Sequence, residues 1–534
     1  MQSNDAEHAN YQIIRSTIPI ILAFALSQIA GLVQKMIATR AFGTGDAIDA
    51  YNTASSFPNL IFSLVAGGAL TSALVPSFTA LLVKGDHKST WKLAWSIIHS
   101  VILLLTIISG ISAFFAPDVA HLLAPDYSTE KLRITIQLLR ILLLTSTVFG
   151  FSGIISAILN AHQHFFLPAL ASSFYWVGLI LGLLFIVPAF GIFGLAWGAV
   201  LGSMLHLTVQ LPGFLRLPRY KYFTGIGLND PNTRQILVLM GPRLISVATV
   251  QINYIANTII ANLQGSGAVS AINWAFPIMT MPLVMIGQAI GFATLPTFSE
   301  LVARGKLADM RHVLSFMLRS VVLLSIPATF GLIVLRQPVI TLLYQGGEFT
   351  QNAVAQVAWA LLWYAIGLTG HCTLEVLVRG FYALHNTRTP ALVGTGAMIL
   401  NVILSIIICS WFTSFGWMSF GGLALSNSLA TSLESLVLIF IIRRQLNGLE
   451  DVEIIWTFVR SLISSLTMGI VIEAWLKYSQ FSNKLFVVLV ALILGSSIYV
   501  GSVLILRVRE ALLILNWIGK PFFRDAPGPG SEAK

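Results

Sequence analysis

Few side chains in this sequence can carry charge inside its long apolar runs, and those few define the chemistry available to it. Lys35 follows Gln28 by seven residues and Gly31 by four, a spacing that puts all three on one face of a helix. An ammonium there either faces a wet interior and meets an anion, or snorkels toward Arg40 and the adjoining loop. Arg243, in "GPRLISVATVQINYIANT", is followed by Gln251, Asn253 and Asn257. Asn253 and Asn257 share a helix face, whereas Gln251 and Asn253 do not. The arginine is read as an anion contact, and the amides first as a hydrogen-bonded stripe between helices. Glu375 and Arg379 are spaced i and i+4, so they are read as a mutually neutralising structural pair, with gating or ion coupling as the second reading. His371, four residues before Glu375, would make that group proton-sensitive. Glu434 and Glu473 stand alone, as hydrogen-bonded packing groups or as coupling-ion ligands. Pro58, Pro277 and Pro282 are expected to interrupt their helices, and Asp49 to cap the helix that it opens.

No enzyme chemistry emerges. The turn "AHQHF" at 161 to 165 has two histidines but no Cys, Asp or Glu nearby to complete a metal site. Cys372 and Cys409 have neither zinc nor disulfide-framework spacing and read as packing thiols. No nucleotide-binding glycine loop is present, so no cofactor is expected. The driving force is left to a coupling monovalent cation, the membrane potential or substrate supply.

These residues sit in a chain of 534 residues that is 56% hydrophobic and only 10% charged. That is far below the charge of a water-soluble globule and marks a polytopic membrane protein. The first sixteen residues lack the pattern of a removable signal peptide. About fourteen apolar runs are long enough to span a bilayer. The expected organisation is an N-terminus at 1–13, a first lobe of six spans at 14–215, a linker at 216–233, a second lobe of six spans at 234–445, two further spans at 446–507 and a tail at 508–534. The net charge of +10 comes from short loops and reports orientation rather than nucleic acid, so no nucleic-acid partner is expected. Lys84, Lys88, Lys92, Arg304, Arg443 and Arg444 fall on one side, which places both termini in the cytoplasm. The tail segment "EALLILNWIGKPFFRD" reads equally as lying along the membrane surface or as fraying of the last span.

The two lobes repeat each other. "ALVPSFTALLVKGD" at 73 to 86 resembles "ATLPTFSELVARGK" at 293 to 306, an offset of 220 residues, and "GLAWGAVLG" from Gly194 resembles "GLALSNSLA" from Gly422. Matches in constant order imply repetition of one unit. Six spans per unit is an even number, so both copies enter the membrane in the same direction, a parallel repeat suited to alternating access. The fold class expected is therefore all-α, with two six-helix lobes and two C-terminal helices.

The segment "FGTGDAIDAYNTASSFPNLIFSLVAGGALTSALVPSF", with "SAILNAHQHFFLPAL", "LLYQGGEFT" and "RGFYALHNTRTP" after it, resembles the MurJ/MviN family of the multidrug/oligosaccharidyl-lipid/polysaccharide exporter superfamily. The resemblance implies that the two C-terminal helices form a lipid-facing groove. It also implies flipping of the undecaprenyl-diphosphate-linked peptidoglycan precursor, lipid II, from the inner to the outer leaflet of the bacterial cytoplasmic membrane. Its partners would be that lipid-linked diphosphate, membrane lipids and cell-wall synthesis proteins. Relatives place arginines on the first, second and eighth helices facing the cleft; here those positions fall at Gln28 and Gln34, at Ser63 and near Pro277, none of them basic. Lys35 and Arg243 are the expected substitutes for diphosphate contact, supported by Asn253 and Asn257. The missing arginines keep two alternatives open: an exporter of another polyprenyl-linked saccharide or amphiphile, and a transport-inactive scaffold for cell-wall enzymes.

Overall fold

The computed structural model describes residues 22–23, 25–65, 68–217, 221–225, 231–479, 483–508 and 510–511, with backbone alone at 65, 68–73, 231–233, 235–243 and 245–246. Helices α1 (25–42), α2 (Asp46–Val65), α3 (Gly68–Val83), α4 (His87–Phe114), α5 (Ala116–Leu123) and α6 (Thr129–Ala161) come first. Next are α7 (Phe166–Leu181), α8 (Val187–Phe190) and α9 (Ile192–Leu215), with a π-helical stretch at Gly182–Ile186 between α7 and α8. The chain continues through α10 (Pro231–Asn262), α11 (Ala268–Pro282), a second π-helical stretch at Leu283–Gln288 and α12 (Ala289–Ala303). Then come α13 (Leu307–Tyr344), α14 (Gln351–Ile366), α15 (Leu368–Ala383), α16 (Arg388–Ser414) and α17 (Gly421–Gln445). The last two are α18 (Asp451–Tyr478) and α19 (Lys484–Ile505).

Ten of the described helical segments are long and apolar enough to cross a membrane, or eleven if the bent pair α14 and α15 counts as one span. About fourteen were expected. The shortfall falls on α1, whose expected start lies outside the described residues, on α2, which carries Asp46 and Asp49 in its first turn, and on α10 with its amides and arginines.

Packing divides the chain into two compact units. The first runs to Trp274 and takes in Leu343–Gln356 and Met418–Phe420; the second takes Ala275–Leu342, Val357–Trp417 and the chain from Gly421 onward. Within the first unit, α7 and α9 meet backbone to backbone. A Cβ on Gly178 would sit 2.2 Å from the Cα of Gly202, and one on Gly182 would sit 2.4 Å from the Cα of Gly198. Membrane helices gain association energy mainly from such close fit, because lipid offers no hydrophobic drive between them. In the second unit, the Ser428 and Ser435 hydroxyls of α17 donate to the Trp363 and Gly370 carbonyls, at 2.7 and 3.0 Å. The α18–α19 pair packs Met468, Ile472, Tyr499 and Val503 against Leu323 and Leu335 of α13.

The repeated sequences have the same local form in each unit. Gly85 follows α3 at φ +73° and Gly305 follows α12 at φ +70°, and each opens the next helix within two residues. At the first turn, Asp86 caps α4 by accepting from the Ser89 N–H at 3.0 Å. Its carboxyl is held below the usual range by the Ser89 bonds.

Pro58 does not interrupt its helix: it lies inside α2, and its carbonyl accepts the Ser146 hydroxyl at 3.0 Å. Pro277 likewise lies inside α11, whereas Pro282 ends it where the π-helical stretch begins. Gly67 and the tail from 512 lie outside the described residues.

Candidate functional site

Two groups of polar side chains stand out, one in each unit. In the first unit, the connections α1–α2, α5–α6, α10–α11 and α13–α14 come together at the end opposite the Gly85 turn. Asp49 is at their centre and is fully buried. Its carboxylate accepts the Gly267 N–H at 2.7 Å and the Ser270 N–H at 2.8 Å. Those amides open α11 and would otherwise lack acceptors, as at any helix start. Asp49 therefore caps α11 and not its own helix, correcting the expectation from sequence; α2 begins three residues earlier, at Asp46. The Lys131 ammonium, from the first turn of α6, stands 3.4 Å from Asp49 and 2.8 Å from Asp46, and 4.0 Å over the Tyr127 ring.

A second layer of bonds surrounds this centre. Tyr127 and Thr53 both donate to the Asn262 Oδ1, at 2.6 and 3.0 Å, while the Asn262 amide donates to the Leu123 carbonyl at 2.8 Å. Burial pushes the Tyr127 hydroxyl, on the connecting loop, above its ordinary pKa, so it acts as a donor throughout the physiological range. Trp274 donates through Nε1 to the Gly43 carbonyl at 3.2 Å, and Thr44 to Gln356 at 2.6 Å. The Glu348 N–H donates to the Arg40 carbonyl at 2.9 Å. Gly43 and Gly347 have φ of +59° and +55°, and a Cβ on either would come within 2.4 Å of a facing carbonyl oxygen. Only glycine fits at those two places. The assembly ties α11 and the loop before α14 to α1, α2 and α6 without an unpaired buried charge: a closed latch. No local spacing in the sequence singles out Lys131, Tyr127 or Asn262.

Lys35 is partly buried on α1, and among the described residues no acidic side chain pairs with it. Gly31, one turn earlier, packs on the Trp176 ring of α7, where its Cβ would meet Cε2 at 3.1 Å. Gln34 is buried, Gln28 is exposed and Ser63 is half-buried. The Arg243 side chain lies outside the described residues, although its backbone belongs to α10. Asn257 donates to the Asn253 carbonyl at 2.9 Å and to its Oδ1 at 3.2 Å, so the two share a face as spaced.

In the second unit, Glu375 and Arg379 form the expected ion pair on α15. Gln288, the last residue of the second π-helical stretch, donates to Glu375 at 3.3 Å, and the guanidinium lies 4.7 Å over the Phe292 ring. His371 does not join them. Its Nε2 is 3.1 Å from Asn427 Oδ1 of α17, whereas Glu375 bonds Gln288 and Arg379. Glu434 lies against Gly394 of α16, and Glu473 is exposed on α18. Both cysteines are buried and free, as packing thiols should be. No group of three metal-ligating side chains occurs among the described residues; His162 instead packs its ring between Phe78 and Trp91.

A further charged cluster escaped sequence reasoning. Arg319 of α13 is 7% exposed and pairs with Glu450, which precedes α18, and with Glu510 beyond α19. His312 also bonds Glu450. The cluster clamps both ends of the α18–α19 pair to α13. Burial would raise the Glu450 carboxyl, but the bonds from Arg319 and His312 outweigh it and hold it below the ordinary range.

Comparison with known proteins gives these arrangements a context. The lipid II flippase MurJ of Burkholderia cenocepacia is 29% identical over 430 residues, covering 79% of this chain and 82% of that one. A probable lipid II flippase MurJ of Vibrio cholerae is 29% identical over 441 residues, covering 80% and 82%. Among solved structures, a lipid II flippase MurJ in an inward closed conformation matches with a TM-score of 0.78 at 24% identity, covering 94% of this chain and all of that one. An inward-facing multidrug transporter of the MOP superfamily matches at 0.64 with 14% identity, covering 82% of this chain and 98% of the other. The family model described as lipid II flippase MurJ matches residues 37–495, most of the chain, and the chain belongs to that family.

Proposed function

We propose that this protein moves lipid II from the inner to the outer leaflet of the bacterial cytoplasmic membrane by alternating access, with both termini cytoplasmic and without enzymatic chemistry. Family membership across residues 37–495 carries the reading, and the names of the relatives supply the cargo. The latch around Asp49 closes the end opposite the basic loops. A cargo loading from the cytoplasm requires that end to be shut while it enters.

Lys35 takes the role of diphosphate contact. A cation in a span without an acidic partner is costly unless a ligand or water meets it, and a lipid diphosphate is the anion that this function supplies. Arg243, Asn253 and Asn257 are assigned to the same path. Glu375 and Arg379 neutralise each other and serve as a structural pair, leaving the driving force to a monovalent cation gradient or the membrane potential.

Complementation of a strain depleted of its own lipid II flippase tests the assignment. The unaltered chain should restore growth, Lys35→Arg should retain rescue, and Lys35→Ala should lose it. In a leaflet-accessibility assay the alanine variant should be slower by about 10- to 100-fold, the weight of one charge-assisted hydrogen bond. Equal rescue by Lys35→Ala would remove Lys35 from the path. A second reading, another polyprenyl-linked saccharide as cargo, is favoured by Gln28, Gln34 and Ser63 standing where relatives carry cations. It predicts no rescue by the unaltered chain at normal membrane levels.

A further inference from the structure

A cavity of about 570 Å³ in the second unit plays no part in the latch or in the Lys35 assignment. Its walls include Leu318 and Val322 of α13, Thr369 and Thr373 of α15, Leu436 of α17 and Phe458 of α18. Leu318 and Val322 form a buried floor, whereas Leu436 and Phe458 on the lip are 61% and 43% exposed. The opening therefore gives onto the surface that these apolar helices present to lipid.

Three of the four hydroxyl groups in the wall, those of Thr369, Thr373 and Ser435, are already engaged. Thr373 donates to the Thr369 carbonyl at 2.8 Å, Ser435 donates to the Gly370 and Thr431 carbonyls at 3.0 and 2.8 Å, and the Thr369 hydroxyl accepts from Ser325 at 3.2 Å. A cavity that lacks two to four directed polar partners does not hold ordered water. Its size falls in the range of small-molecule sites, and the adjoining solvent is hydrocarbon. A hydrocarbon chain is the matching occupant.

The mouth selects the rest of the molecule. Asp451, the first residue of α18, lines one end of the cavity, and Arg443 of α17 donates to its Oδ2 at 2.9 Å. Both side chains remain open, at 37% and 49% exposure. Arg444 follows, its guanidinium 4.2 Å from the Phe440 ring centroid. Guanidinium and carboxylate groups thus stand side by side at the rim. A headgroup with anionic charge alone would meet the Asp451 carboxylate, and a quaternary ammonium offers no N–H to it. A phosphate joined to a primary ammonium satisfies both: guanidinium groups pair with the phosphate, and the Asp451 carboxylate accepts from the ammonium.

We propose that this cavity binds a membrane phospholipid of the phosphoethanolamine type, one acyl chain seated between α13, α15, α17 and α18 and its headgroup held by Arg443, Arg444 and Asp451. The site docks a lipid beside α18 and is independent of the cargo assignment above.

Native mass spectrometry of the purified full-length protein tests this, with phosphatidylethanolamine, phosphatidylcholine and phosphatidylglycerol of identical acyl chains offered in competition. The ethanolamine lipid should be retained over the choline lipid by about fivefold, the effect of one surface charge contact. Leu436→Trp, which fills the mouth from an exposed position, should abolish the adduct, and Asp451→Asn should bring the two lipids to parity while leaving an adduct in place. Equal retention of ethanolamine and choline lipids by the unaltered protein would overturn the proposal, and so would preference for phosphatidylglycerol or an adduct untouched by Leu436→Trp. Displacement of the phospholipid by undecaprenyl diphosphate would assign the cavity to the cargo tail and overturn it as well. The headgroup competition on the unaltered protein stands even if a variant fails to fold.

Discussion

At the scale of single residues, the latch depends on one buried carboxylate that serves two donors on α11 and an ammonium on α6. Asp49→Ala should orphan both amides at about 1–3 kcal/mol each. Lys131 keeps Asp46 at 2.8 Å, which limits any further loss. Asp49→Asn retains an acceptor oxygen and should melt between the two in thermal unfolding. The clamp on α13 gives a pH prediction. Glu450 has a folded pKa below its ordinary value, so its contribution is present in full above about pH 4.3 and disappears as acid protonates it through the lowered value. Thermal melts over an acid series should show a stability step below the carboxylate range that Glu450→Gln removes. Interactions within one helix turn were legible in the sequence, as Glu375 with Arg379 and Asn253 with Asn257 show. Lys131 and Arg319 were not, because their partners lie 82 and 131 residues away and no local spacing announces them.

Elements meet chiefly through small residues. α7 and α9 approach so closely at Gly182 and Gly198 that a side chain on either would overlap backbone. Gly198→Leu should separate the pair and abolish folded protein in membranes, read as loss of monodisperse material on size exclusion; Gly110→Leu, where nothing lies within 4 Å, should be tolerated. Tyr499 of α19 donates to the Leu323 carbonyl of α13, so Tyr499→Phe should cost about 1 kcal/mol, the usual net worth of one hydrogen bond. The glycines of "GLAWGAVLG" were visible as half of a repeat, but their role as a backbone contact required knowing which helix lay opposite. Pro58 misled for a related reason. Proline removes the helical bond to the carbonyl four residues earlier, yet α2 continues through Pro58, and the Ser146 hydroxyl of α6 anchors the Pro58 carbonyl, a contact invisible in the local sequence.

For the whole molecule, hydropathy and the 220-residue repeat made the all-helical membrane architecture legible, and the quoted signatures made the family legible. Helix count was less secure, because crossings that carry function also carry the polar residues that lower their hydropathy, as α2 does with Asp46 and Asp49. Those same polar residues leave a readable trace. The Gly267 N–H precedes α11 and its bond goes to Asp49; with no carbonyl of a preceding helical turn to protect it, only latch closure shields it. Deuterium uptake at that one amide is therefore a clock for the protein. Its exchange rate, divided by the rate expected of an open chain, gives the fraction of time that the latch stands open, and cargo or ion gradients that drive the cycle should change that rate in place.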